Sequence, residues 1–246
     1  MSSQNTLAER YEELAVANRI LFDQDIVDGL GHISFRDPVD PAKFHMSRAL
    51  APGRVTPEDI LVFDADGEAI DGRGRSLYQE RYIHSEVYRA RPDVQAVVHS
   101  HSPTVIPFSV TTKPMLPIRA GFLYPEVPRF EIRDHGGWTN LLVSTPALGA
   151  ALARTLAGNS CALMRGHGNV VVARDVPSVV SRVIKMEADA KLILHATMLG
   201  GPITFLAPEE AELMEAASTK TVRGSEQGVD RTWNMWKDQA LKRNPF

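Results

Sequence analysis

Two histidines with one residue between them follow a run of β-branched residues in the segment VVHSHSP, residues 97–103. Side chains two apart on a strand project from the same side, so His99 and His101 can direct two imidazole nitrogens at one point. A point about 2.0–2.1 Å from each nitrogen is the position of a zinc ion between two histidine ligands. Taken alone, the pair is as consistent with packing as with metal binding.

A third histidine follows another apolar run, in the segment CALMRGHG. His167 stands there between two glycines, which allow a close approach of the backbone. Three neutral imidazoles that leave a coordination position open are typical of a catalytic metal site, whereas closed structural sites usually use cysteines. The chain has one cysteine, Cys161. We therefore expect one divalent metal ion per subunit, with Zn or Mn favoured and Fe or Co also suited to these ligands.

A carboxylate and a further imidazole precede the pair in the segment RSLYQERYIHSEVYRARPD. Ser76 and Gln79 match a capping box, and an Arg-Pro pair ends the pattern, which predicts a helix over 77–90. Glu80 and His84 then share one face of that helix. Two interpretations stay open for them: a helix-start carboxylate with an interior histidine, or a pair of catalytic groups.

The elements that position these residues are predicted from periodicity and turn signals. Apolar residues at helical spacing predict a first helix from Leu7 to near Asp28-Gly29. Further helices are predicted from Ser144-Thr145-Pro146 to Gly158 and from Pro177 to about Met198. Short apolar runs predict strands, and hairpin-length connections between several of them favour a mixed or mostly antiparallel sheet covered by helices. The predicted strands are HISFRD, ILVFDADG, QAVVHSHS, NLLVSTP, CALMRGHG and NVVVARD.

Length and composition exclude several classes of protein. The 246 residues show no linker or repeat, which predicts a single domain over 1–246 with a C-terminal helical extension from about 207. A net charge of −3 gives no reason to expect nucleic acid or an anionic membrane as a partner. The sequence shows neither a signal-like segment nor an apolar run of membrane-spanning length, so we expect a cytoplasmic protein.

These motifs together carry a family resemblance. The order Glu80 with His84, then RPDVQAVVHSHS, then RGHG resembles the class II aldolase/adducin family over about residues 7–199. The resemblance implies an α/β fold, a three-layer α/β/α sandwich with a largely antiparallel central sheet, and a homotetramer with active sites near subunit interfaces. It also implies that His99, His101 and His167 hold a divalent metal and that Glu80 is an acid/base group or a displaceable metal ligand.

The sequence departs from the sugar-phosphate aldolases of that family at the positions that bind phosphate. Tyr78-Gln79 stands where those enzymes have two serines, and His32 stands where they have an asparagine. The phosphate-binding residues are therefore replaced. His32 and Arg48 could instead pair with a carboxylate, for which the guanidinium offers two parallel hydrogen bonds. An interpretation of Arg48 as a solvated loop residue stays equally open.

A narrower resemblance concerns the substrate. GHISFRDP, MSRALAP, YQERYIHSE and HSHSPTVIPFSV resemble the branch of decarboxylases that act on hydroxymethylpyridine-dicarboxylate and 3,4-dihydroxyphthalate. This implies a metal-dependent decarboxylase of a hydroxylated aromatic dicarboxylate, with His84 supporting the metal ligands. Two alternatives stay open: an aldolase or dehydratase acting on a non-phosphorylated hydroxy-carbonyl substrate, and a non-enzymatic adducin-like binding protein. Phe122, Tyr124 and Phe130 are either pocket-lining aromatic residues or packing residues.

Overall fold

The computed structural model describes residues 6–72, 74–119, 127–210, 213 and 229–246. Within these residues, seven strands form one sheet in the spatial order third, second, first, fourth, seventh, sixth, fifth. All neighbouring pairs are antiparallel except the fifth and sixth strands. The strands are β1 (His32–Arg36), β2 (Phe44–Ser47), β3 (Ile60–Phe63), β4 (Ala96–Ser100), β5 (Arg129–Phe130), β6 (Cys161–Met164) and β7 (Gly168–Ala173).

Helices cover both faces of the sheet and divide the core into two apolar clusters. The described helices are α1 (Leu7–Asp23), α2 (Arg81–Ala90), α3 (Ile106–Ser109), α4 (Arg133–Gly136), α5 (Pro146–Leu156), α6 (Val176–Leu199) and α7 (Val229–Arg243). One cluster contains the buried faces of α1, α6 and α7, and the other contains those of α2 and α5. The predicted three-layer α/β/α sandwich with a largely antiparallel sheet is confirmed.

Strand register brings the chemistry-bearing residues together at one end of the central strands. His32 on β1 lies opposite His99 on β4, and Ser100 lies opposite Asn169 on β7. His167 immediately precedes β7, so it arrives beside the end of β4. The order β1-β4-β7 therefore places three imidazoles from distant parts of the sequence next to one another.

Two predicted helix boundaries are wrong. The first helix ends at Asp23 rather than near Asp28-Gly29, because Asp25 adopts a left-handed backbone conformation with φ of 56°. The second begins at Arg81 rather than at residue 77. Ser76 does not cap it, since its hydroxyl donates to the carbonyl of Ala49. Glu80 is consequently the residue before the helix, not a member of its first turn.

The predicted strand NLLVSTP is also wrong, and two strands were not predicted. Residues 140–145 form an irregular segment in which Leu141 has a φ of 70°. The backbone N–H of the buried Val143 donates to the Glu80 carboxylate and not to a neighbouring strand. The unpredicted strands are β2, whose four residues are all buried, and the two-residue β5. The four residues of β2, FHMS, do alternate apolar and polar types, but the run is short and its polar side chains are buried too, whereas two residues of β5 are too few to show a period.

The last described helix packs on the first. Trp236 and Ala240 of α7 are buried in the cluster shared with α1, and Trp233 packs against that cluster. Much of the chain between residues 207 and 229 lies outside the described residues, so the predicted start of a C-terminal extension stays a prediction. The described helices include none with the length and apolar character needed to cross a bilayer.

Candidate metal centre

Four side chains converge at the end of the β1-β4-β7 strands. One ligand atom from each of Glu80, His99, His101 and His167 lies within 4.8 Å of every other. The Nε2 atoms of His99 and His101 are 3.1 Å apart, and Glu80 Oε2 lies 3.3 Å from His167 Nε2 and 3.6 Å from His99 Nε2. We call these four residues the metal cluster. The structure thus brings together the three predicted metal ligands and the predicted acid/base group.

The remaining ring nitrogen of each histidine is held by an acceptor. His99 Nδ1 donates to the carbonyl of Asn169 at 3.2 Å, and His167 Nδ1 donates to the carbonyl of Leu141 at 2.9 Å. His101 Nδ1 lies 3.2 Å from both carboxylate oxygens of Asp28. Because these acceptors require a proton on each Nδ1, each Nε2 is the nitrogen left to bind a metal.

The donor set fits a divalent cation. Two nitrogens that each bind one ion at about 2.0–2.1 Å, at angles of about 90–110°, lie about 2.9–3.4 Å apart. The separation of His99 Nε2 and His101 Nε2 falls in that range, at 3.1 Å. With both Nδ1 atoms protonated, neutral rings would face each other with two lone pairs, an arrangement that a shared cation stabilises. Three imidazoles and a carboxylate suit Zn or Mn as well as Fe or Co.

A backbone amide holds Glu80 in place. Its Oε1 accepts a hydrogen bond from the N–H of Val143 at 2.9 Å, which leaves Oε2 facing the imidazoles. Burial alone would raise the Glu80 pKa, but His99 and His167 together hold it well below its usual range. Burial alone would lower the pKa of His167, whereas its contact with Glu80 raises it. In the ion-free cluster Glu80 therefore favours a proton on His167, which metal binding would release.

The glycines around His167 allow the turn that delivers it. Gly166 has a φ of 64°, a conformation that glycine adopts without strain. A side chain at Gly168 would collide with the backbone carbonyl of Ser100 on the neighbouring strand. Ser109 also fixes the turn, because its hydroxyl accepts the N–H of Gly166 at 2.8 Å. Gly166 therefore suits the conformation of the turn, and Gly168 is required by the close packing of β7 against β4.

His84 and His32 lie beside the metal cluster but in the core. His84 is fully buried, with Nδ1 2.6 Å from Ser34 Oγ and Nε2 2.7 Å from His32 Nδ1. The His32 and His99 ring centroids are 5.1 Å apart. Burial, then the neighbouring His99, lowers the pKa of His84 to about 3, and burial also holds the His32 pKa well below its usual value. His84 thus hydrogen-bonds to His32 and Ser34, and it acts on the metal cluster through His32 and through the nearby charge of Glu80.

Arg48 forms an ion pair with a carboxylate outside the metal cluster. Its Nε donates to Asp59 Oδ1 at 2.7 Å, and its side chain is one-third exposed. Its other guanidinium nitrogens have no protein partner among the described residues. Tyr78 links His32 to the segment that follows Arg48. Its ring centroid lies 4.6 Å from that of His32, and its hydroxyl hydrogen-bonds to the backbone of Leu50.

Several groups that build the site were not identified from the sequence. They are the backbone carbonyls of Asn169 and Leu141, the backbone N–H of Val143 and the carboxylate of Asp28. The one sequence signal is Asp28-Gly29, which by itself predicts only a helix end. Of the aromatic residues considered for a pocket, Phe130 is 1% exposed and packs in the core. Phe122 and Tyr124 lie outside the described residues.

The sequence is similar to a protein family and to several named enzymes. The sequence model of the class II aldolase and adducin N-terminal domain matches residues 12–194. Decarboxylase tropJ of Talaromyces stipitatus is 33% identical over 241 residues, covering 88% of each chain. The 3,4-dihydroxyphthalate decarboxylase of Arthrobacter keyseri is 31% identical over 219 residues, covering 85% of this chain and 87% of its own.

Solved structures agree on the fold. An aldolase II superfamily protein from Pseudomonas syringae superposes with a TM-score of 0.78 at 22% identity, over 99% of this chain and 96% of its own. An L-fuculose 1-phosphate aldolase from Glaciozyma antarctica superposes with a TM-score of 0.74 at 24% identity, over 99% and 94%. At these identities the likeness establishes the architecture and not the reaction.

Proposed function

The chain belongs to the class II aldolase and adducin family, and from this membership we propose that it is a metal-dependent decarboxylase of a hydroxylated aromatic dicarboxylate. It is a lyase: five curated relatives that each cover more than three quarters of the chain are named decarboxylases. The observation that carries the proposal is the metal cluster, in which Glu80 approaches two of three converging imidazoles.

The metal cluster supplies what decarboxylation of an ortho-hydroxylated ring requires. His99, His101 and His167 would hold a divalent ion, which would supply Lewis-acid stabilisation of negative charge on the ring oxygen beside the departing CO2. Glu80 Oε2 accepts the phenolic proton as the substrate binds and returns it to the ring carbon that loses CO2. The carbon therefore exchanges a carboxylate for a proton, and the electrons of the broken C–C bond return to the ring.

The surroundings of the metal cluster support an anionic substrate without a phosphate group. Tyr78 occupies a position that serves phosphate binding in the sugar-phosphate aldolases, and its hydroxyl is engaged by the backbone of Leu50. We propose that His32 and Arg48 bind the carboxylate that is retained. Arg48 keeps terminal guanidinium nitrogens available beyond its pair with Asp59. His84 supports His32 from the core.

Metal analysis combined with a CO2-release assay tests the function. The panel contains hydroxylated benzene and pyridine dicarboxylates, matched isomers with the hydroxyl group moved away from the carboxylates, and non-phosphorylated hydroxy-carbonyl compounds. We expect one ion per subunit and chelator-sensitive CO2 release from an ortho-hydroxylated member only. Bound metal with release of aldehyde or water, and no CO2, would establish the aldolase or dehydratase alternative. Protein without stoichiometric metal or turnover would favour an adducin-like binding role.

We also propose a homotetramer with active sites near subunit interfaces. Four apolar side chains on the C-terminal part of α6 are exposed in the single chain: Leu192, Leu194, Met198 and Leu199. Clusters of exposed apolar residues often mark contact surfaces between proteins. Light scattering of the purified protein is expected to give four times the chain mass of 27.1 kDa. A monomeric mass with full turnover would overturn this assignment.

A further inference from the structure

A continuous row of hydrogen bonds runs from the core to the edge of the metal cluster. Tyr88 Oη lies 2.7 Å from Ser34 Oγ, Ser34 Oγ lies 2.6 Å from His84 Nδ1, and His84 Nε2 lies 2.7 Å from His32 Nδ1. We call these four residues the hydrogen-bond chain. None of the four is more than 5% exposed. Each link is short enough that one atom of every pair must carry a proton directed at the other.

The direction of the hydrogen-bond chain follows from its buried end. Ser34 Oγ is the side-chain partner of the Tyr88 hydroxyl, and the hydrogen bond with the Val97 backbone lowers the Tyr88 pKa, as an N–H donor does and a carbonyl acceptor does not. A buried hydroxyl hydrogen without an acceptor is costly, so Tyr88 donates to Ser34. Burial raises the Tyr88 pKa, which keeps this phenol protonated. Ser34 has a single hydrogen, and its remaining neighbour, His84 Nδ1, receives it.

The same reasoning fixes the state of both imidazoles. Because His84 Nδ1 accepts from Ser34, His84 carries its proton on Nε2 and donates it to His32 Nδ1. His32 must then carry its own proton on Nε2. His32 Nε2 has no hydrogen-bond partner among the described residues. It is also not fully buried, so it is the nitrogen that a substrate can reach.

The anchoring residue is itself held firmly. The Arg36 guanidinium lies over the Tyr88 ring, with its central carbon 4.7 Å from the ring centroid, and donates to the Tyr88 carbonyl at 2.7 Å. Phe44 packs on the same ring, with centroids 5.5 Å apart. These contacts leave the Tyr88 hydroxyl a fixed direction. Packing of Arg36 and Phe44 on the Tyr88 ring therefore helps to set the geometry of the first link of the hydrogen-bond chain.

We propose that Tyr88 is a positioning residue, which acts through Ser34 and His84 to hold His32 as a neutral Nε2–H donor toward an anionic oxygen of the substrate. This rests on the proposed function for the identity of the acceptor, whereas the direction of the hydrogen-bond chain does not depend on it. His32 is then a binding group and not the base of the reaction. Its neutral donor is suited to an oxygen beside a metal cation, where a positively charged imidazole would be disfavoured.

The test determines the tautomers directly. Protein labelled with 15N in its histidine rings and loaded with zinc is examined by NMR, in which protonated and bare ring nitrogens have well separated shifts. We expect His32 and His84 each to carry a proton on Nε2 and none on Nδ1. Tyr88→Phe removes the first donor and is expected to convert both rings to mixed tautomers. It should raise KM for the dicarboxylate about 3- to 10-fold, with a smaller change in kcat.

Tyr11→Phe is the matched control. Tyr11 also hydrogen-bonds to a buried histidine, His45, through a contact of 3.1 Å outside the hydrogen-bond chain. This variant should leave the His32 and His84 signals unchanged. A proton on His32 Nδ1 in the unaltered protein, or unchanged tautomers in Tyr88→Phe, would overturn the proposal. If Tyr88→Phe does not fold, the unaltered protein decides the question alone. Absence of CO2 release would instead contradict the proposed function and leave these signals as expected.

Discussion

His45 and His99 are both buried side chains of the sheet, yet of these two only His99 belongs to the candidate metal centre. His45 on β2 is 1% exposed and His99 on β4 is fully buried. The two nitrogens of His45 are occupied, by Tyr11 Oη at 3.1 Å and by Asp37 Oδ2 at 2.7 Å. His99 has one nitrogen held by a backbone carbonyl, and its other nitrogen faces His101, with Glu80 3.6 Å away.

The difference separates a structural histidine from a candidate metal ligand. Burial and hydrogen bonding of one nitrogen are common to both rings, so neither property identifies a metal site. What distinguishes His99 is a second nitrogen that converges on the nitrogens of two other imidazoles and on a carboxylate. The ring of His45, by contrast, stacks on Phe35 with centroids 4.6 Å apart, a packing role. Replacing the two residues should therefore have different consequences.

The largest expected effect separates them by metal content. His99→Ala should lower metal affinity and turnover by more than about 100-fold, since a direct ligand matters more than the outer groups that orient it. His45→Ala should keep one ion per subunit and lower the free energy of unfolding by about 2–3 kcal/mol, because it leaves Asp37 and Tyr11 without their partner. Metal titration and denaturant unfolding of both variants measure this. Full metal binding by His99→Ala would contradict the distinction.

A smaller effect is expected where a carboxylate orients a ligand. Asp28→Ala removes the acceptor of His101 Nδ1 and should weaken metal binding by about 10- to 100-fold. Asp28→Asn, which retains an acceptor oxygen, should recover most of that affinity. Asp66→Ala is the control, because Asp66 pairs with Arg89 on the surface. Equal affinities for all three variants would show that Asp28 does not orient the ligand.

How much the sequence predicted depended on whether a group's partner was local. The spacing of His99 and His101 at the end of a strand and the glycines around His167 predicted which histidines converge, because these features follow from backbone geometry. Glu80 was identified as well, but its place within a helix was wrong. The Ser76 hydroxyl and the Tyr78 ring are held by residues distant in sequence, so the local capping pattern was overridden.

The irregular segment 140–145 shows more clearly why local sequence patterns do not predict every part of the site. Its apolar residues predicted a strand, yet the Leu141 carbonyl orients His167 and the Val143 N–H holds Glu80. Backbone groups are the same at every residue, so no residue type reveals which of them will serve a site. The hydrogen-bond chain was hidden for a related reason: Tyr88 and Ser34 are 54 positions apart in sequence.

The smallest expected effect concerns the carboxylate partner of His45. Burial alone would raise the Asp37 pKa, but the N–H groups of Asp40 and Val39 and the ring of His45 hold it below its usual value. A lowered pKa in the folded state stabilises the protein above the unfolded value of about 3.9, and this is lost as the pH falls through the folded value. The stability difference between unaltered protein and Asp37→Asn should therefore be full at pH 5 and shrink below about pH 4.

Urea unfolding at pH 5 and below about pH 4 measures this stability difference, with Asp66→Asn as the exposed control. Metal content at neutral pH should be the same in the unaltered protein and Asp37→Asn, because neither His45 nor Asp37 reaches the metal cluster. A loss of metal in Asp37→Asn would contradict the assignment of His45 as structural.

One titration tests the central claim, that the metal cluster is the catalytic centre and Glu80 its acid/base group. Metal-free protein is titrated with Mn²⁺ while bound ion and CO2 release from the active aromatic dicarboxylate are measured together. In the unaltered protein, CO2 release is expected to rise with occupancy and to level off at one ion per subunit. Glu80→Gln is expected to reach the same occupancy at higher Mn²⁺ while turnover stays at least about 100-fold lower. Full turnover by metal-loaded Glu80→Gln would contradict the account.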